Sequence, residues 1–460
     1  MQLYKHRNPK GSINGGPREE LEATWGDDVI VDAALDFAKR HQDQPFLAFV
    51  SAMTPHGPLD APEEDIERFM RERGLSRKVA TLHAQMAVFD RAIGRLIQGL
   101  EDLDTSDRET RVLFLSDNGP AMFENDFTHA DRARRNVLGW RGWKGDVWEA
   151  GIRSPLFIHR IGSIDQGEIT QPADATDLLP TVLGWARLDT AGTGKPLDGR
   201  DIRPMLAGEE IPDKPIPSWI HPAIPPWPGR GEERKLQDEY GPLSPAAKKA
   251  LNPEEQVMAL RKGDWKLVWN ADLNTSEPPE TDRFFGNVVT DPRETTNLLH
   301  LNPEQVNRMA QDMVRWFEDI KAEPQSFQPP ELQIPDSGDV TILSSWASHV
   351  HPDLYNNVPA TEGFDSAGQT VRWNLRVHKT RSVEPELLWF KDGKLPADSQ
   401  IALRSGDAEV IGNSDVEGNL NWDGLLELDA GPATLELEIL TLPHIDTPLD
   451  LLFLFLRDPE

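Results

Sequence analysis

A chain of 460 residues is too long for one ordinary hydrophobic core, so two or three domains are expected. Its 38% hydrophobic and 27% charged residues are globular proportions, and a formal net charge of −29 leaves no cationic surplus for a phosphate backbone, which excludes a nucleic-acid binder as a class. The absence of cysteine excludes disulfides, thiolate metal sites and cysteine nucleophiles within this chain, and no stretch approaches the roughly 20 apolar residues of a membrane span.

The opening residues, MQLYKHRNPKGSINGGPREE, carry charge without an apolar core, so they do not read as a secretory signal but as the middle of a loop. Residues 27 to 41, DDVIVDAALDFAKRH, predict a helix: acids in the first turn, bases in the last, and Ile30, Ala34, Phe37 and Ala38 at helical spacing. PFLAFVS (45 to 51) is a short continuous apolar run, which suits a strand covered on both faces. A Pro-rich loop with Thr54, Pro55 and His56 leads from it into a polar segment. Residues 79 to 100 predict a long helix with Leu82, Met86, Phe89, Ile93, Leu96, Ile97 and Leu100 three and four apart. RVLFLSDNG (111 to 119) and GIRSPLFIHR (151 to 160) predict two more strands, and DLLPTVLGWARL (177 to 188) another helix. Strands alternating with helices imply an α/β sandwich around a largely parallel sheet.

Residues 211 to 250 are rich in proline and charge and read as a linker or long excursion. VMALRKGDWKLVWN (257 to 270) predicts a hairpin around Lys-Gly-Asp, and a helix is expected over about 303 to 320, with Asn302 as N-cap and Pro303 at its first position. From about 335 the pattern becomes strand-like, as in TVRWNLRVHK, PATLELEILTL and LLFLFL, which predicts an appended β-rich module. The expected division is therefore a catalytic α/β segment over 1–210, a linker with a small α+β subdomain over 211–334, and the β-rich module over 335–460.

In α/β sheets, ligands gather outside the carboxyl ends of strands. Strand 111 to 116 runs into Asp117, Asn118, Gly119 and Pro120, which either simply end the strand as a turn or deliver a carboxylate and an amide oxygen to a hard divalent cation. His56, bracketed by prolines, is either a surface histidine or a proton donor. In GWRGWKGDVWEAGIRSPLFI (139 to 158), Lys144 among glycines and tryptophans offers a mobile point charge for an oxyanion, against the plain reading of a Trp-rich packing loop. Trp140, Trp143 and Trp148 suit stacking on a sugar or aryl ring, or core packing. His129, Arg132, Arg134 and Arg135 suit a polyanionic substrate, or a solvated loop.

The ordered series FLAFVSAMTPHGPLDAPEED, MAVFDRAIGRLI, LFLSDNGP, RGWKGDVWEAGIRSPLFI, DLLPTVL, LDGRDIRPML and RKGDWKLV resembles the sulfatase family of the alkaline phosphatase superfamily, over residues from about 24 to 300. The resemblance implies an alkaline-phosphatase-like sandwich and hydrolysis of sulfate esters. It implies Asp117 and Asn118 as ligands of Ca²⁺, His56 as the group that protonates the leaving oxygen, and Lys144 as the contact to the sulfate. Charge develops on the sulfuryl and leaving oxygens during cleavage, so a cation, a lysine and a proton donor belong there. The implied partner is a sulfated small molecule or sulfated carbohydrate, with no nucleic acid and no membrane, and the implied location is the periplasm or exterior.

The family's formylglycine arises from a Cys or Ser in a Cys/Ser-x-Pro-Ser-Arg motif, and no such string occurs here. Nor does the Gly-Lys-Trp-His-like segment, and Asp27-Asp28, at a helix start with no apolar strand before it, is no substitute for the early Asp-Asp pair that completes the calcium site, so the expectation is a Ca²⁺ site incomplete in this chain and a catalytic sheet incomplete at its N-terminus. A chain lacking that portion is expected to fold poorly alone, because buried strands would show unpaired backbone and an apolar face; a complete parallel sheet would contradict this. A phosphoryl or phosphonate ester hydrolase of the same superfamily and a non-catalytic sulfatase-like binding protein are the competing readings.

Overall fold

The computed structural model describes residues 2–3, 10–12, 19–20, 25–103, 109–121, 128–135, 138–163, 166–189, 196–220, 251–271, 283–323, 330–356, 360–389 and 394–459. The chain divides into two compact units, Met1–Ala223 with Glu254–Val314, and Ile224–Pro253 with Arg315–Glu460. No helix among the described residues is long and apolar enough to cross a membrane.

In the first unit, three short antiparallel strands, β1 (Gln2–Leu3), β2 (Lys10–Ser12) and β3 (Glu19–Glu20), precede α1 (Gly26–Arg40). Helix α2 (Glu63–Arg73) and helix α3 (Arg77–Asp102) follow. Sequence patterning gives α2 no apolar stripe. It is a charged helix held by Arg68 to Asp65 at 3.0 Å and by Arg91 of α3 to the same carboxylate at 2.7 Å. The most buried face of α3 is its small-residue face, Val79, Ala80, Ala84, Val88 and Ala92, with Met86 of the expected stripe 43% exposed. Small side chains let helices approach closely, so Ala80 and Ala84 pack with Ile66 of α2, and Ala92 and Leu96 with Val31 of α1.

Residues 45 to 51 run without a ladder, a departure from the expected strand: a strand exists only through its pairing, and none of the described residues pairs with this run. Phe46 meets Phe37 of α1 edge to face at 5.6 Å, while Leu47 and Phe49 are 74% and 93% exposed. Strand β4 (Arg111–Leu115) pairs with β5 (Leu156–Arg160), and the pairing is antiparallel, Arg111 opposite Arg160 and Leu115 opposite Leu156. The largely parallel sheet expected from strand–helix alternation is thus represented among the described residues by an antiparallel pair. Between these strands lie α4 (His129–Arg135) and the one-turn α5 (Glu149–Ile152).

Helix α6 (Leu178–Ala186) and the short α7 (Arg203–Leu206) lead to an antiparallel sheet ordered β6 (Ile216–Trp219), β7 (Met258–Lys262), β8 (Trp265–Trp269) and β9 (Arg283–Asn287). The β7–β8 turn is the expected hairpin, with Gly263 at φ +57°. The linker reading of 211 to 250 falls largely outside the described residues, and β6 occupies its described start. Helix α8 (Pro303–Ala322) follows, as its Pro303 start predicts.

The second unit is a β-sandwich. One sheet orders β10 (Glu331–Ile334), β15 (Thr370–Val377), β21 (Gly431–Thr441), β17 (Gln400–Ser405), β18 (Ala408–Ser414) and β19 (Leu420–Trp422), with β12 (His349–Val350) added on β15. The other orders β13 (Tyr355–Asn356), β14 (Thr361–Phe364), β22 (Leu449–Arg457), β16 (Arg381–Trp389) and β20 (Leu426–Leu428), with β11 (Val340–Leu343) on β22. Val371, Trp373, Leu375 and Val377 alternate inward from β15 and share one core with Leu451, Leu454 and Leu456 of β22.

Candidate functional site

Strand β4 ends in Ser116, Asp117 and Asn118, and the polar atoms there are ordered locally. Ser116 Oγ donates to the Asn118 carbonyl at 3.0 Å, and the Asn118 N–H donates to Asp117 Oδ1 at 2.9 Å. Asp117 is exposed, whereas Asn118 Oδ1 is buried and accepts no hydrogen bond among the described residues. An amide oxygen buried without a donor carries a desolvation cost that a cation would remove.

The loop 139–151 closes over this strand end through backbone contacts. The Gly119 N–H donates to the Gly151 carbonyl at 2.8 Å, and the Lys144 N–H donates to the Pro120 carbonyl at 2.9 Å. A Cβ on Gly119 would lie 1.7 Å from the Ala150 carbonyl oxygen, and one on Gly151 2.3 Å from that of Asp146, so both glycines are demanded by close approach. Asp146 turns the loop, its carboxylate accepting from the Trp143 N–H at 3.0 Å. Lys144 therefore stands on a loop hydrogen-bonded two residues beyond Asn118, and these three site residues are brought together.

His56 is held by contacts within its own loop and from α3. Its N–H donates to the Met53 carbonyl at 2.7 Å, its Nδ1 lies 2.9 Å from the Gly57 carbonyl, and Gln85 of α3 donates to its own carbonyl at 3.4 Å. The loop is anchored by Thr54, whose buried hydroxyl donates to Asp27 of α1 at 2.5 Å. The imidazole is exposed, which leaves it accessible to a proton acceptor from solvent.

The tryptophans divide. Trp148 is buried, with the Arg141 guanidinium 3.6 Å above its ring and Phe284 of β9 edge-on at 5.3 Å, so it packs the core. Trp140 and Trp143 are half-buried, and Arg153 lies over the Trp140 ring at 4.4 Å. Arg134 donates to the carbonyls of Arg73 and Gly74 at the end of α2, which is a helix-capping role. The side chains of His129, Arg132 and Arg135 lie outside the described residues.

A buried ionic centre behind the loop escaped sequence reading. Lys266 of β8, fully buried, reaches Glu149 Oε1 at 3.0 Å and Glu294 Oε1 at 2.9 Å, and the Glu149 N–H donates to Glu294 Oε2 at 2.7 Å. The signal was present: a lysine inside the apolar run Trp265–Trp269 calls for a buried counter-charge. Burial pushes the Glu294 carboxyl above the usual carboxylate range against the pull of Lys266.

For the calcium site, the donor chemistry fits in part. Asp117 and Asn118 offer one carboxylate and one amide oxygen, the donors a hard cation prefers, and Asn118 Oδ1 is buried without a hydrogen bond among the described residues. Among the described residues, no three His, Asp or Glu side chains gather into a metal-ligating group.

Residues 4–188 match the family model described as Sulfatase. The chain is 29% identical over 185 residues to steryl-sulfatase of Mus musculus, covering 39% of this chain and 27% of that protein. It is 25% identical over 319 residues to the sulfatase YdeN of Escherichia coli (strain K12), covering 67% of this chain and 52% of that protein. It is also 27% identical over 190 residues to N-acetylgalactosamine-6-sulfatase of Homo sapiens, covering 41% and 34%. This chain therefore spans between about a quarter and about a half of the length of these curated relatives. Among solved structures, that of Ps i-CgsB in complex with k-i-k-neocarrahexaose superposes with a TM-score of 0.50 at 20% identity, covering 66% of this chain and 57% of that one, a likeness of fold.

Proposed function

We propose that this chain, which belongs to the sulfatase family through residues 4–188, binds the sulfate ester of a carbohydrate or small molecule at the carboxyl end of β4 and contributes to its hydrolysis. The observation that supports the reading is the backbone bond from Lys144 to Pro120, which ties the loop carrying Lys144 to the strand end carrying Asp117 and Asn118. Asp117 and Asn118 hold Ca²⁺, which when bound offsets charge on the sulfuryl oxygens. Lys144 pairs with a sulfuryl oxygen as a point charge, and its ammonium contributes most when charge there increases. His56 gives a proton to the departing oxygen. The names of relatives acting on an N-acetylgalactosamine 6-sulfate and of a structural neighbour holding neocarrahexaose favour a sulfated carbohydrate.

Within these 460 residues there is no cysteine and no Ser-x-Pro-x-Arg string to supply the formylglycine nucleophile. That specific feature favours a second reading, sulfate-ester binding without turnover by this chain taken alone. Calorimetric titration separates the readings. With Ca²⁺ present, the chain is expected to bind N-acetylgalactosamine 6-sulfate saturably. Lys144→Ala should weaken binding about tenfold, a loss of about 1.4 kcal/mol, and Asp117→Ala should abolish the Ca²⁺ dependence. Equal affinity for the matching 6-phosphate would favour a phosphoryl ester hydrolase, and no binding by the unaltered chain would overturn the proposal. Release of free sulfate in the same samples distinguishes turnover from binding.

A further inference from the structure

We propose that Lys266, Glu149 and Glu294 form a buried positioning centre that fixes the loop carrying Lys144 against the strand end carrying Asp117 and Asn118. The inference rests on the sulfate-site reading for its functional meaning, but its geometry stands apart from it.

The three charged side chains come from distant stretches of sequence: the start of α5, strand β8, and the turn after β9. All are buried, with Lys266 at 0%, Glu294 at 1% and Glu149 at 2% exposure. A lone buried ion pair is poor value as a stabiliser, because desolvation consumes most of the attraction, so a triad of this kind points to a role in holding one geometry. Here the geometry is that of the site loop. Glu149 is the pivot: its carboxylate faces Lys266, its own N–H donates to Glu294, and Arg153 reaches its outer oxygen at 3.6 Å. One residue further, the Ala150 N–H donates to the Arg141 carbonyl at 2.8 Å while the Ala150 carbonyl lies against Gly119. Arg141 in turn donates to the Glu294 carbonyl at 3.4 Å. Glu294 sits at φ +52°, a conformation that side-chain-bearing residues seldom adopt, and so is itself held in a costly backbone state over the centre. The loop is thus clamped at Arg141 and at Glu149, on either side of Lys144.

The donor and acceptor pattern ranks the substitutions. Both Glu294 oxygens face donors, the Glu149 N–H and the Lys266 ammonium, so Glu294→Gln must turn its amide N–H₂ toward one of them. Glu149→Gln keeps an oxygen for Lys266 and turns its N–H₂ toward Arg153, which loses an ion pair at 3.6 Å but leaves the closer bond to Lys266 in place. Lys266→Met leaves two carboxylates buried without an ammonium.

Hydrogen exchange resolved to single amides tests this on the full chain. In Glu294→Gln, exchange at Gly119, Lys144 and Ala150 is expected to rise about tenfold, while β7–β8 ladder amides change less than about twofold. Glu149→Gln should show the same pattern at smaller amplitude, and it decides alone if the other two variants do not fold. Affinity for N-acetylgalactosamine 6-sulfate should fall in step with loop exchange. A uniform rise across β7, β8 and the loop would reduce the centre to general stability and overturn the proposal, as would unchanged loop exchange. Absence of sulfate-ester binding by the unaltered chain would sink the function reading while leaving the exchange pattern to judge the clamp.

Discussion

Gly119 shows how tightly the site is specified at single residues. A Cβ at Gly119 would lie 1.7 Å from the Ala150 carbonyl oxygen, so Gly119→Ala must push the Ala150 backbone away, and with it the bond from Gly119 to Gly151. Overpacking of this kind costs about 1–3 kcal/mol, so urea denaturation should report a loss in that range together with weakened Ca²⁺ binding. An alanine variant as stable as the parent would mean that the loop yields freely. Asp117, Asn118 and Lys144 stood out as candidates in the sequence: the first two follow an apolar run, and Lys144 sits in a glycine-punctuated one. Glu149 and Glu294 did not, because nothing in their neighbourhoods announces a partner 117 residues away in one case and 145 in the other.

Among the elements, the helices were legible from periodicity, as with the run 79 to 100 inside α3, whose start at Arg77 is set by Ser76, its side chain accepting from the Val79 N–H. Helix α2 was missed because its stability comes from charge pairing and contact with α3 rather than from an apolar face. The stretch entering α6 makes a prediction of its own. Asp177 is fully buried and Asp174 largely so, and Lys214 stands 2.7 Å and 2.9 Å from their carboxylates. Burial raises the Asp174 carboxyl, but hydrogen bonds from Thr176 and Lys214 outweigh it and hold the group below the ordinary aspartate range. A depressed folded-state pKa contributes stability that is fully present above the unfolded value near about 4 and is lost as pH falls through the folded value. Lys214→Met should therefore destabilise by about 1–3 kcal/mol at pH 7, since it removes the ammonium shared by two carboxylates and leaves Asp177 with Arg200 at 3.8 Å and Asp174 with Thr176. The deficit should shrink below about pH 4, as Asp174 takes up a proton, as measured by denaturant titration at both pH values. A deficit independent of pH would show that Lys214 acts through packing alone.

For the molecule as a whole, the two compact units predict separable stabilities. Trp373 is fully buried in the sandwich, and its indole N–H lies 3.3 Å from the carbonyls of both Leu343 and Ser344. Trp373→Ala should cost the sandwich about 3–5 kcal/mol. Ca²⁺ and sulfate-ester titrations in the first unit should be unmoved; their loss would show that the units are energetically coupled. The sandwich was legible as β-rich because alternation along β15 reflects one wet and one buried face. Which strands pair, and the parallel β10–β15 ladder within an otherwise antiparallel sheet, were not, since pairing joins segments that share no local signal. The same limit explains residues 45 to 51, whose apolar run reads as a strand although strandhood depends on a neighbour.

Local order, then, is written along the chain: turns, caps, periodicity and the short motifs around Asp117, Asn118 and Lys144 depend on residues within a few positions of one another. The antiparallel sense of β4 and β5, the small-residue face of α3 and the Lys266 centre behind the site loop depend on which distant surfaces meet. They are decided by close packing and by the demand that every buried charge find its opposite, conditions that arise only once the chain has folded.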